Sequence, residues 1–171
     1  TEDGGQTWAL EKNDNSLSLL GVSFSNSGAV AVGQFGAIVL RDSDGTWRTV
    51  ESGTSERIFN VDINNRGHAV AVGAFGLILR STDRGETWSR VFPDWSQTFY
   101  DPDMRLGGLF EPNLYGVKIS EAGHVWVVGE LALVLMSEDS GESWSVKHAR
   151  GSSDLEVSST LSAIDVRLDG T

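Results

Sequence analysis

Ser81-Thr82-Asp83-Arg84-Gly85-Glu86-Thr87-Trp88 follows an apolar run, and altered copies of it stand elsewhere in the 171-residue chain. The copies are Thr1-Glu2-Asp3-Gly4-Gly5-Gln6-Thr7-Trp8, Ser137-Glu138-Asp139-Ser140-Gly141-Glu142-Ser143-Trp144 and a shortened Ser43-Asp44-Gly45-Thr46-Trp47. In each of these boxes an Asp carboxylate can accept backbone N–H bonds inside a tight turn, and Gly supplies a positive φ. The Trp opens the next strand as a large apolar anchor. Asp3, Gly5, Trp8, Asp44, Gly45, Trp47, Asp83, Gly85, Trp88, Asp139, Gly141 and Trp144 are therefore structural expectations, with the indoles buried between neighbouring sheets.

Working outward, three apolar runs precede each later box. The first set is Leu20-Gly21-Val22-Ser23-Phe24, Ala29-Val30-Ala31-Val32-Gly33 and Ala37-Ile38-Val39-Leu40. The second is Phe59-Asn60-Val61-Asp62-Ile63, Ala69-Val70-Ala71-Val72-Gly73 and Leu77-Ile78-Leu79-Arg80. The third is Tyr115-Gly116-Val117-Lys118-Ile119, Val125-Trp126-Val127-Val128-Gly129 and Leu133-Val134-Leu135-Met136. Nearly continuous apolar content fits strands buried on both faces, as when sheets stack on sheets. Trp8 to Trp47 is 39 residues and Trp47 to Trp88 is 41, whereas Trp88 to Trp144 is 56 because about 15 residues are inserted. A period near 40 with four strands per repeat marks β-propeller blades. The expectation is all-β, with four-stranded antiparallel blades over 17–52, 56–92 and 113–149 and an inserted linker over 93–112. Residues 1–12 read as a box with a short outer strand, and 160–171 as the inner strand of a further blade. Such partial blades would be completed by further chain or by another copy.

Composition narrows the function. A formal charge of −11, with 13 Lys and Arg in all, opposes nucleic-acid binding, which leans on clustered cations. No apolar stretch approaches the roughly 18 residues of a membrane-spanning helix. Cys is absent, so no disulfide framework is expected.

The box pattern resembles the Asp-box, or bacterial neuraminidase repeat. The segment from Gly67 through Trp88, with Val72-Gly73-Ala74-Phe75-Gly76-Leu77-Ile78-Leu79-Arg80-Ser81 running into the box, is similar to propellers of the photosystem II stability and assembly factor family. Val32-Gly33-Gln34-Phe35-Gly36 echoes it, and the third copy departs from it with Ala132 at the second Gly. The resemblance implies a non-enzymatic, extracytoplasmic propeller of the thylakoid lumen or bacterial periplasm, whose partner is a membrane protein or its assembly complex. An accessory role beside a bacterial membrane transporter is a variant of the same reading.

The alternative is an Asp-box glycoside hydrolase or sialidase with its active site in blades outside this chain. A sialidase site needs an arginine cluster, a Tyr–Glu nucleophile pair and an acid/base Asp. Only Tyr100 and Tyr115 are present, and Arg57-Ile58-Phe59 lacks the Pro of the sialidase Arg-Ile-Pro signature. No phosphate loop, nucleophile elbow or calcium loop is found, so no catalytic residue, cofactor or metal is expected. His68 and His124 follow equivalent glycines and read as exposed turn histidines.

A four-stranded meander sends its second-to-third turn and its link to the next blade out of one end, and the boxes out of the other. One end therefore gathers Phe35, Phe75 and Leu131 with the inserted linker, which holds Trp95, Phe99, Tyr100, Arg105 and Phe110. Aromatic-rich loops of this kind are typical interface hot spots. The competing expectation is that the linker's apolar residues fold back on the blade edge as local core.

Overall fold

The computed structural model describes residues 1–11, 16–42, 44–94, 111–148 and 159–166. Three antiparallel four-stranded sheets follow one another, each with its strands in sequence order. The first holds β1 (Leu19–Ser25), β2 (Gly28–Gly33), β3 (Ile38–Arg41) and β4 (Trp47–Val50). The second holds β5 (Ile58–Ile63), β6 (Ala69–Gly73), β7 (Ile78–Ser81) and β8 (Ser89–Val91). The third holds β9 (Leu114–Ile119), β10 (Val125–Gly129), β11 (Val134–Ser137) and β12 (Ser145–His148). These are the blades of a propeller architecture.

The middle strands of the second sheet are apolar on both faces because that sheet lies between the other two. Val30, Val32, Ile38 and Leu40 of the first blade form one core with Val61, Ile63, Ala69, Ala71, Leu77 and Leu79 of the second. The opposite face of that second blade, through Val70, Val72 and Ile78, forms another with Val117, Ile119, Val125, Val127 and Leu135 of the third. Register is equivalent in all three sheets: Val30 pairs Leu40, Val70 pairs Arg80 and Trp126 pairs Met136. The Gly that ends each second strand is a close-approach position. A Cβ on Gly33, Gly73 or Gly129 would lie 2.0–2.3 Å from the carbonyl oxygen of Ser18, Arg57 or Asn113.

The inner strands β1, β5 and β9 each have one edge outside their own ladder, and side chains from the preceding blade cap those of β5 and β9. Asp62 is the main cap: its Oδ1 accepts from Ser23 Oγ (2.7 Å) and its Oδ2 from the backbone N–H of Ile119 (2.9 Å). Ser23 Oγ in turn accepts from Ile63 N, and Asn60 Nδ2 donates to Tyr115 O. An edge N–H buried without a partner would be destabilising, so these polar residues tie three blades into one register.

The flanking segments pair into no ladder among the described residues. Neither the described residues 1–11 nor 159–166 belong to a sheet. For Trp8 and its neighbours the reason is that β3, β7 and β11 already carry their own outer strands, so among the described residues no third strand offers a free edge. Glu11 is tied instead to Arg41 Nη2 (2.9 Å) and Trp47 Nε1 (2.7 Å), which pull its carboxyl down to about 2. Residues 159–166 lie on the third blade as β5 lies on the first. Ala132 N donates to Ser159 O (2.7 Å), matching Gly76 N to Pro112 O (2.9 Å), and Gly116 faces Ala163 as Gly21 faces Asn60.

Candidate protein-binding face

At one end of the blades the boxes consume their own polar groups. Asp83 Oδ1 accepts from Thr87 N (3.0 Å) and Ser81 Oγ (2.8 Å), while Thr87 Oγ1 donates to Oδ2. Gly85 N donates to Ser81 Oγ (2.9 Å), and Trp88 Nε1 donates to Gly85 O (2.9 Å). The same set recurs at Ser137, Asp139, Gly141, Ser143 and Trp144. Thr1, Asp3, Gly5, Thr7 and Trp8 repeat most of it. In the shortened box, among the described residues, Asp44 accepts from the N–H and the hydroxyl of Thr46. Burial pushes Asp83 and Asp139 up, but the hydroxyl and amide donors outweigh it and both lie below the usual Asp range. Asp3 is drawn to about 2, chiefly by Thr7. A carboxylate held by that many donors is a fixed acceptor and a poor acid or nucleophile.

The indoles sit differently from the expected full burial. Trp88 and Trp144 are half-buried at the rims of the two cores, and Trp8 is 79 % exposed. Because Nε1 is tied back to the box Gly carbonyl, the ring stays with the turn, and β8 and β12 begin one residue after it. What enters the previous blade is the glycine. A Cβ on Gly85 would stand 3.2 Å from Val30 and 3.3 Å from Leu40, and one on Gly141 would stand 3.0 Å from Val70. Both glycines have positive φ, near 89° and 86°, which favours Gly on two counts. Each box is thus a clasp on the preceding sheet, reinforced by Arg48 to Glu86 (2.6 Å) and by Arg80 Nε to Ser140 O (2.9 Å).

His68 also departs from the exposed-turn expectation. It is half-buried, with Nδ1 2.9 Å from Ser140 Oγ of the next blade's box, and His124 is half-buried as well. Among the described residues no group of three acidic or histidine side chains is arranged to hold a metal ion.

The other end carries the turns between second and third strands. Ala37 N donates to Gln34 O (3.0 Å), and Leu77 N to Ala74 O (3.1 Å), closing two-residue hairpin turns. Their central residues both have positive φ: Phe35 near 53° and Gly36 near 70°, Phe75 near 52° and Gly76 near 64°. Leu131 near 55° and Ala132 near 54° repeat the geometry in the third blade, closed by Leu133 N to Glu130 O. That is the primed turn matching strand twist, whose first central position ordinarily takes Asn, Asp or Gly. Phe35 is 69 % exposed and Phe75 58 %, while Leu131 is half-buried. The structure therefore brings Phe35, Phe75 and Leu131 to equivalent positions at one end. Trp95, Phe99, Tyr100, Arg105 and Phe110 lie outside the described residues.

One Tyr–Glu contact occurs at this end. Tyr115 Oη donates to Glu130 Oε1 (3.3 Å), but Asn113 holds both carboxylate oxygens through its N–H and side-chain amide, each at 2.9 Å. Burial and the Glu130 charge push the phenol up, so Tyr115 stays protonated, the reverse of what a tyrosine nucleophile needs.

A family model described as photosynthesis system II assembly factor YCF48 matches residues 41–145. The chain belongs to that family. Of the solved structures it resembles, one is YCF48 bound to D1 peptide, at 20 % identity over 81 % of this chain with a TM-score of 0.59. Another is YCF48 from Cyanidioschyzon merolae, at 25 % identity over 79 % of this chain with a TM-score of 0.57. The chain spans 44 % and 38 % of those two proteins, less than half of each. No curated protein matches it. The YCF48 family match runs from Arg41, the last residue of β3, to Ser145, the first of β12, and so includes the clasping glycines Gly85 and Gly141 but not the Val30 and Leu40 that Gly85 meets.

Proposed function

We propose that this chain belongs to a non-catalytic, protein-binding propeller that serves as an assembly factor for a membrane protein complex, in the thylakoid lumen or periplasm. The observation that carries the reading is the family match, which a solved YCF48 with a bound D1 peptide extends towards a membrane-protein partner. Two structural facts support it. The box carboxylates are spent on their own turns, and bulky apolar side chains stand exposed at the opposite end. We assign binding to Phe35, Phe75 and Leu131 together with Trp95, Phe99, Tyr100, Arg105 and Phe110 of the linker. The test is titration of a labelled D1 peptide against the full chain by fluorescence anisotropy. Replacing Trp95, Phe99 and Tyr100 together by Ala should weaken binding at least thirtyfold, the scale of a hot spot, with the melting temperature nearly unchanged. An equal loss of folding stability would make the linker local core. Hydrolysis of a sialoside, abolished by a single carboxylate substitution, would replace the reading with the enzyme.

A further inference from the structure

The turns that carry Phe35, Phe75 and Leu131 share one geometry but are not fastened alike. In each blade the residue opening the turn donates its N–H to the residue just ahead of the inner strand: Gln34 to Ser18 O (3.0 Å), Ala74 to Arg57 O (2.9 Å) and Glu130 to Asn113 O (3.0 Å). In the first two pairs the side chains add no further bond among the described residues. In the third they do. Asn113 N and Nδ2 donate to the two carboxylate oxygens of Glu130, each at 2.9 Å, and Asn113 Oδ1 accepts the N–H of Phe75 on the second blade (3.2 Å). Pro112 O takes the neighbouring N–H of Gly76 (2.9 Å). Both central residues of the Phe75 turn are thus held by the segment entering the third blade, and Asn113 spans two turns: that of Phe75 through Oδ1, and that of Leu131 through the Glu130 that opens it.

Glu130 is itself held from another side. Tyr115 Oη donates to its Oε1 (3.3 Å), and the Tyr115 ring rests against Phe59 of the second blade with ring centroids 5.1 Å apart. Burial pushes the Glu130 carboxyl up, but the Asn113 and Tyr115 donors outweigh it and keep it below the usual Glu range. Bonds to an ionised acceptor are the stronger kind. The path therefore leaves the second blade at Phe59 and returns to it at Phe75. Phe75 has use for such a hold, since its φ near 52° suits Asn or Gly better and its ring, 58 % exposed, is not fixed by packing. A tip set before its partner arrives loses less freedom on binding. Phe35 has the same backbone geometry, and among the described residues its N–H receives no such tie.

Resting on the protein-binding reading above, we infer that Asn113 is a positioning residue of the binding face: oriented by Glu130 and Tyr115, it yokes the Phe75 and Leu131 turns so that a partner protein meets them as one preset surface.

The full chain and its variants are titrated with the labelled D1 peptide, and amide hydrogen exchange is read by NMR on the same samples without peptide. Asn113→Ala should bind about tenfold more weakly, with the Phe75 N–H exchanging about tenfold faster and the Phe35 N–H unchanged. Asn113→Asp sets a second carboxylate against Glu130 and should also weaken binding. The Asn113→Asp/Glu130→Gln variant exchanges amide and carboxylate, and should restore affinity to within about twofold of the parent. Ser23→Ala, which loosens the first two blades towards the box end, controls for stability and should bind as the parent does. On a Phe75→Ala background, Asn113→Ala should cost less than it does on the parent, because its effect runs in part through Phe75. Unchanged affinity or unchanged Phe75 exchange in Asn113→Ala overturns the inference, as does an equal loss in Ser23→Ala or strict additivity with Phe75→Ala. If the parent binds the peptide and Asn113→Ala binds it equally well, the protein-binding reading stands without the inference. If the parent does not bind the peptide, that reading falls and the positioning role falls with it, even where the exchange rates respond.

Discussion

Replacing Asp62 by Ala probes what holds one blade against the next. Its side chain is only 10 % exposed and serves two blades at once. Oδ1 accepts from Ser23 Oγ of the first at 2.7 Å, and Oδ2 accepts from Ile119 N of the third at 2.9 Å. Hydrogen bonds to a charged acceptor contribute about 1.5–3 kcal/mol each, and an N–H left unpaired on a buried edge costs about 1–3 kcal/mol. The two losses overlap at Ile119, so the net expectation is about 3 kcal/mol. Lys118 Nζ lies 3.5 Å away but is 39 % exposed, and such a pair is worth less than about 1 kcal/mol. Urea unfolding of Asp62→Ala, Ser23→Ala, the double variant and Lys118→Ala separates the contributions. Asp62 and Ser23 should couple by about 1 kcal/mol, and Lys118→Ala should cost less than a third of Asp62→Ala. A loss below 1 kcal/mol for Asp62→Ala, or strict additivity with Ser23→Ala, would refute the latch.

Trp88→Ala should cost about 2 kcal/mol, under the 3–5 of a fully buried indole, while Trp8→Ala stays within about 0.5; thermal melts of the two compare them directly. Phe35→Asn/Phe75→Asn should gain up to about 1 kcal/mol per turn in the same assay, because left-handed strain is relieved and little burial is lost. For the boxes the sign follows from lowered folded-state values. Asp83 and Asp139 lie below their unfolded value of about 3.9, so their stabilisation is present above pH 4 and is lost as pH falls through the folded values. An Asp83→Asn/Asp139→Asn variant should be less stable than the parent at pH 7, and the two should converge as the pH approaches 2 in an acid-unfolding series.

The blade strands were legible because burial on both faces leaves few polar interruptions, so Ala69 to Gly73 and Val125 to Gly129 can be read off as they stand. The exposed tips Phe35 and Phe75 were legible too, since a Gly-x-x-Gly turn between two buried strands has only one place to put its side chain. Hidden from sequence was everything that crosses from blade to blade. Asp62 looks like a solvent-facing residue of an alternating strand until the third blade's Ile119 N–H is placed beside it. His68 looks like a turn residue until Ser140 arrives from 72 positions away. The burial of the box Trp was over-read because its Nε1 bond to the Gly carbonyl, which holds the ring at the rim, is a matter of geometry and not of pattern.

The clasp runs backward along the chain, and this orders events on the ribosome. The first sheet has its whole ladder once Val50 has emerged, yet the face carrying Val30 and Leu40 is covered only as Val61, Ile63, Ala69, Ala71, Leu77 and Leu79 follow, and Gly85 closes it last. At about 5–20 residues per second that delay is roughly 2–7 s. Each newborn sheet therefore waits, hydrogen-bonded but unsealed, for the turn of its successor, and Gly141 repeats the delay for Val70. A synthesis pause placed between Val50 and Gly85 would lengthen the exposure of an apolar face in a way that the same pause inside a sheet would not.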